Sequence, residues 1–249
     1  KEYKSFKTRS FNSYSVVAAM IIGIGLSGMQ GWMQWPSMIR GQIILNSTTG
    51  DVYPVNPALG YAWWFAVALH WAGMAAIFLC WTKNGQKSIW KDWLARLGLM
   101  AFWISLLYVL FEFVPQLFLP KYFELDKYNY ELYPTLQRLR VNNFEAILWL
   151  GAWLGGVSYE LIKKHWQNLK MILLVSVLTG LLWMLFQYLW MIKIPQLLSD
   201  VSFNWWRCWE SSAGAAIGLS LGLAFVIFNR KWPKEKWIKQ SVSKPQEDS

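Results

Sequence analysis

The sequence predicts an all-α, polytopic integral membrane protein, and three observations carry that prediction. Of its 249 residues, 55% are hydrophobic, 18% are aromatic and only 15% are charged, where a soluble globular domain carries about 25% charged residues. Six stretches are long and apolar enough to cross about 30 Å of hydrocarbon, which takes about 20 residues of helix. Lysine and arginine crowd into alternate connections along the chain, as they do when a bilayer sorts the loops. The same composition excludes a disordered chain, and two cysteines are too few for a small disulfide-stapled secreted fold.

The predicted spans are 14–35, 59–81, 93–118, 144–162, 171–191 and 206–228. The first is longer than the apolar core of a signal peptide, and no convincing A-x-A cleavage site follows it. The chain then divides into a basic segment 1–13, a six-helix domain 14–228 and a basic tail 229–249. Lys1, Lys4, Lys7 and Arg9 precede the first span; Lys83, Lys87, Lys91 and Arg96 join the second to the third; Lys163, Lys164 and Lys170 join the fourth to the fifth; and six more basic residues follow the sixth. Those are 17 of the 24 basic residues, and the remaining 7 fall in the alternate connections. With acidic residues included, the two sides net +11 and −1. Six spans with both termini on the basic, inner side satisfy every segment at once. The location implied is a plasma or inner membrane.

This asymmetry accounts for the overall charge of +10 without nucleic acid. The partners expected are the bilayer itself, anionic headgroups at the inner face and other membrane subunits. The tail alternates lysines with Trp232 and Trp237, a pattern suited to an interface. Tryptophans fall near both ends of the spans, with Trp32, Trp35, Trp63, Trp64, Trp190, Trp205, Trp206 and Trp209 in an expected outer belt. Short inner and long outer connections group the spans into three hairpins. Each rising span ends beside a proline close to a glutamine: Gln34 with Pro36, Pro115 with Gln116, and Pro195 with Gln196.

Small residues recur every four positions at Ala19, Gly23, Ser27 and Gly31, at Gly151 and Gly155, and at Gly214, Gly218 and Gly222. Such stripes let helix backbones approach closely. Charge inside a span costs about 2.5–3.5 kcal/mol at the centre, so it marks candidate function. Glu112, Glu145, Arg207 and Glu210 all belong to the outer third of the expected bundle, with Arg207 and Glu210 spaced as an ion pair on one face. Gathered together, they would line an outward-facing polar vestibule, with His70 deeper along the same pathway. Glu160 and Lys164 are spaced as a stabilising pair at the inner end of the fourth span.

No His, Cys, Asp or Glu spacing fits a metal site, His70 and His165 differ too much in depth to share a haem, and no cofactor is expected. Cys80 and Cys208 belong to opposite leaflets, out of disulfide reach. Catalytic signatures (G-x-S-x-G, H-E-x-x-H, a Walker loop, an intramembrane aspartate pair) do not occur in the sequence. The function expected is therefore binding or transport of a small solute or ion through an outward polar cavity. A non-catalytic subunit of a larger membrane assembly is the alternative, and an enzyme acting on a lipid-linked substrate is a third.

Overall fold

The computed structural model describes residues 13–28, 34–82, 89–129, 131–200 and 204–228. It is all-α and 81% helical, with four helices among the described residues long and apolar enough to cross a membrane. The first helix, α1 (Ser13–Ala19), is prolonged by a π-helical turn at Met20–Ile24 and a last α-turn at Gly25–Ser27. Its apolar part, Val16–Ser27, is too short to count among the four. The expected span to residue 35 is divided instead: Trp35 opens a separate short helix, α2 (Trp35–Ile39), with Pro36 in its first turn. Proline supplies a helical φ and has no N–H to leave unpaired there. Pro115 and Pro195 also sit in the first turn of short helical segments, Pro115–Leu117 and Ile194–Leu197.

The connection after α2 holds structure that the sequence did not predict, a two-stranded antiparallel hairpin of β1 (Gln42–Asn46) and β2 (Asp51–Pro54). Asn46 Oδ1 accepts from Thr48 N–H at 2.8 Å, and Gly50 turns the chain at φ +78°. Left-handed backbone of this kind is where glycine has no steric penalty. The Gln34 side chain completes the sheet edge. Its Nε2 donates to Ile44 O and to Thr135 O, and its Oε1 accepts from Ile44 N–H.

The long helices are α3 (Pro57–Trp81), α4 (Trp90–Phe113), α5 (Pro134–Ile162), α6 (Trp166–Tyr188) and α7 (Trp205–Phe228). Asn56 caps α3 by accepting from Ala58 N–H at 2.9 Å, satisfying one of the donors that a helix start leaves open. Helix α4 stops five residues before the expected end because Pro115 restricts Val114, which leaves the helix at φ −132°. Helix α5 begins ten residues earlier than expected, at Pro134. Its first half carries Gln137, Arg138, Arg140, Asn142, Asn143 and Glu145, so apolar periodicity could not reveal it, and α5 is not one of the four membrane-length apolar helices. Helix α6 runs on through a π-helical turn, Leu189–Lys193, into Ile194–Leu197. The looser turn accommodates Pro195, whose ring would clash with the carbonyl four residues back in a regular α-helix.

Helix α3 is the centre of the bundle: α5 and α6 pack on it, α4 packs on α5, α7 packs on α6, and α1 lies against α3. The glycine stripes explain two of these contacts. A Cβ added at Gly155 would stand 2.5 Å from Met100 N, and one at Gly151 would stand 2.9 Å from Ile104 Cα, so α4 rides directly on the α5 backbone. Gly23 meets the α3 backbone at Ala75 in the same way, with Ala19 and Ser27 buried beside it. The α7 stripe differs. Among the described residues, no atom lies within 4 Å of a Cβ added at Gly214, Gly218 or Gly222; Gly218 and Gly222 instead line an open apolar cavity of about 350 Å³ with Ala19 and Met20 of the first helix and Leu79 of the helix after the hairpin. Gly31 lies outside the described residues.

Tryptophan placement departs from the expected outer belt. Trp35, Trp64 and Trp209 are wholly buried and pack edge-on with Trp183, at centroid separations of 5.6 Å for Trp35–Trp64, 5.6 Å for Trp64–Trp183 and 5.0 Å for Trp64–Trp209. Edge-to-face stacking adds about 0.5–1.5 kcal/mol per pair beyond area burial, and indole N–H groups find partners inside. Trp35 donates to Asn143 Oδ1 and Trp183 to Ala213 O.

The connection between α4 and α5 packs around Tyr128, whose hydroxyl accepts from Lys121 N–H at 3.3 Å. Burial pushes this phenol up to about 12, with the hydrogen bond from Lys121 opposing the shift. An unfolded tyrosine ionises near pH 10. The neutral phenol therefore stabilises this connection fully below pH 10, and that contribution is lost as pH rises through about 12. Absorbance titration at 295 nm should show one tyrosine, missing in Tyr128→Phe, ionising well after the exposed ones; ionisation together with them would refute this.

Candidate functional site

The residues expected to line a polar vestibule fall on three helices, Glu112 on α4, Glu145 on α5, and Arg207 and Glu210 on α7. Glu112 is on the surface of α4 and pairs across to Arg140 of α5 at 3.8 Å, with both side chains about two-fifths exposed. The nearest charge lay on another helix, where sequence spacing could not show it. Glu145 is partly buried on α5. Arg207 and Glu210 are both exposed on α7. Glu210 accepts from Trp206 Nε1 at 2.8 Å, and no ion pair to Arg207 forms among the described residues. Since α4 packs on α5 and α7 packs on α6, Glu112 and Glu210 belong to different helix pairs.

A vestibule of about 530 Å³ does open at the hairpin end of the bundle, lined by Ile39, Arg40, Pro57, Met191, Ile192, Pro195 and Gln196. Its single charged lining residue is Arg40, which follows α2 and reaches Met191 Sδ at 3.8 Å. The proline-beside-glutamine pattern was the sequence signal for this region: Pro195 and Gln196 line the opening, and Gln34 and Pro36 position α2 beneath Arg40.

Below Met191, the inward face of α6 is unexpectedly polar. Ser176, Thr179 and Gln187 are all wholly buried, while leucines of the same helix (Leu173, Leu181, Leu185) are exposed. With Trp183, these three residues follow one another at helical spacings of three and four, so they form a single stripe. Helix α3 runs antiparallel against that stripe, since Phe65 meets Gly180 and Gly73 meets Ser176. His70 is wholly buried on α3 between those two levels. Trp153 Nε1 donates to Ser176 Oγ at 3.0 Å. Thr179 Oγ1 and both amide atoms of Gln187 have no hydrogen-bond partner among the described residues. A buried polar atom without a partner costs about 1–3 kcal/mol, so Gln187 is an unusually costly residue to keep in an otherwise apolar turn.

At the opposite end of the bundle, four helix ends converge, and this lysine-rich end holds a connected polar network. Glu160 is wholly buried near the end of α5. Its Oε1 accepts from Trp81 Nε1, and its Oε2 is shared by Asn168 Nδ2 and His165 Nδ1, each at 2.9 Å. The pairing with Lys164 read from spacing is therefore replaced. Lys164 is exposed in the left-handed conformation at φ +57°, and it ends α5 with a two-bond cap, His165 N–H to Glu160 O and Lys164 N–H to Leu161 O. That cap folds His165 back onto Glu160. Beside it, the buried Arg96 guanidinium lies 4.7–4.9 Å from the ring centroids of Trp81, Trp93 and Tyr159. Asp92 takes Tyr159 OH at 3.0 Å and Lys163 at 3.3 Å. Cation–π contact and hydrogen bonding to charge are the usual ways to bury such groups.

No group of three or more metal-ligating side chains forms among the described residues, and Cys80 and Cys208 are not joined in a disulfide. Compared with known proteins, the chain matches no family model, no curated protein and no solved structure.

Proposed function

We propose that this chain is a multi-pass membrane protein, crossing six times with both ends on the lysine-rich side, that binds a small polar solute between α3 and α6. The observation that carries this reading is Gln187, a buried amide with no hydrogen-bond partner among the described residues, one turn below the Met191 wall of the vestibule. A bound solute would supply the missing hydrogen bonds, and specificity for polar ligands arises from buried groups of this kind. Arg40 at the mouth favours neutral or anionic solutes over cations. The buried Ser176, Thr179 and His70 continue the polar path beyond Gln187. Exposed Trp90, Trp93 and Trp166 beside Lys91, Lys163 and Lys170 suit anionic headgroups at the other end.

Osmotic shrink–swell measurements on proteoliposomes, with urea and glycerol as probes, test this reading. Gln187→Leu should lower solute permeability at least tenfold while leaving thermal stability equal or higher, because the unpaired amide is removed. Unchanged permeability for both probes in that variant would overturn the proposal. A second reading, a subunit of a larger membrane assembly, is favoured by the glycine stripe of α7, which no described backbone meets. It predicts a reproducible hetero-complex on native gels after gentle extraction.

A further inference from the structure

We infer that the vestibule at the hairpin end is a docking site for a small monocarboxylate carrying a short apolar chain, with Arg40 binding the carboxylate. This names the solute class of the proposed path and rests on that reading. Arg40 is held on a fixed turn. It ends α2, donating its N–H to Ser37 O at 3.0 Å, and Gly41 at φ +81° then turns the chain into β1. Gly41 is itself tied on both sides, its N–H to Met38 O and its carbonyl to Val55 N–H. A side chain at that φ would be strained, so the turn that carries Arg40 depends on glycine.

The guanidinium is left largely unused by the protein. Its Nη2 reaches Met191 Sδ at 3.8 Å, and a thioether is a weak acceptor. Among the described residues no carboxylate pairs with Arg40, whereas Lys121 holds Glu124 and Arg140 faces Glu112. Most N–H donors of its planar fork are therefore open to a ligand, and that fork fits a carboxylate through two parallel bonds. Gln196 lines the same opening, and its amide can supply another donor. The rest of the wall is apolar, with Ile39 from α2, Pro57 from the start of α3, and Met191, Ile192 and Pro195 from the extension of α6. One positive charge in this lining matches one negative charge. A dianion would bring its second charge onto apolar side chains, and an uncharged amide or alcohol would leave the guanidinium without a counter-charge. The volume of about 530 Å³ is of small-molecule size.

Met191 reports occupancy, since it lines the vestibule beside Arg40. With isotope-labelled methionine methyl groups in nanodiscs, its NMR signal, assigned through Met191→Leu, is followed while sodium butyrate, butyramide or sodium phosphate is added at constant ionic strength. Butyrate should shift the signal saturably, with an apparent Kd about tenfold or more below those of butyramide and phosphate. Arg40→Gln should raise the butyrate Kd by about tenfold or more, and Arg40→Lys, which keeps the charge but loses the fork, should fall between. The other methionine signals show that each variant is folded, and the three probes test the unaltered protein independently of any variant. No saturable shift with butyrate, equal affinity for butyramide or phosphate, or an unchanged Kd in Arg40→Gln overturns the inference. Gln187→Leu should keep butyrate binding at the vestibule even where it blocks permeation, so failure of the docking site and failure of the path are separately visible.

Discussion

Gly155→Leu is expected to unseat α4 from α5. The α4 backbone passes so close that an added Cβ would meet Met100 N at 2.5 Å and Met100 Cα nearer still. The obstacle is main chain, so a rotamer change cannot relieve it; the helices must separate. Overpacking a tight core costs about 1–3 kcal/mol, and a branched side chain against backbone should reach about 3 kcal/mol or more on that scale. Separation would also weaken the Arg140–Glu112 pair and the Trp103 Nε1 to Ser158 Oγ bond, which join the same two helices. Gly218→Leu is the matched control: same residue type and same four-residue spacing, but nothing within 4 Å. It should change stability by no more than about 0.5 kcal/mol. Denaturant unfolding of both variants in one detergent gives the comparison, and equal losses would refute the packing argument.

The second large effect is expected at Glu160. Glu160→Leu leaves Trp81 Nε1, Asn168 Nδ2 and His165 Nδ1 aimed at a methyl group in a buried site. Removing one member of a buried charged network costs about 3–5 kcal/mol, and the three helix ends tied there should loosen together. Hydrogen exchange localised to the ends of α3 and α5 and the start of α6 would show it. Lys164, which sequence spacing pairs with the same glutamate, should behave oppositely. Lys164→Gly removes the strain of a side chain at positive φ and should stabilise by up to about 1 kcal/mol. A loss on Lys164→Gly would mean that its side chain holds the network after all.

Much of the helical framework was legible because it follows from one-dimensional rules. Apolar runs of membrane length mark α3, α4, α6 and α7, and prolines mark where helices begin or stop. Helix α5 was misjudged at its start because polar residues such as Arg138, Asn142 and Asn143 hide a helix from hydropathy, although Pro134 signals it. The hairpin at 42–54 was missed because Gln34, a residue outside both strands, completes its edge. Glycine stripes at Gly151 and Gly155 announced close packing, while the identical spacing at Gly214, Gly218 and Gly222 meets no close backbone among the described residues.

The sequence by itself determined the apolar, helical character of this protein, the positions of its four membrane-length apolar helices and the uneven placement of its basic residues, because these depend on composition and local spacing. Only tertiary structure decided which polar groups meet. Glu112 finds Arg140, Glu160 finds Trp81 and Asn168, and the buried indoles find one another across helices far apart in the chain. Helical periodicity says which face a side chain occupies, but the helix lying opposite is chosen by packing of the whole bundle. That choice also buries Gln187 beside Trp183 and Thr179 on the inward face of α6.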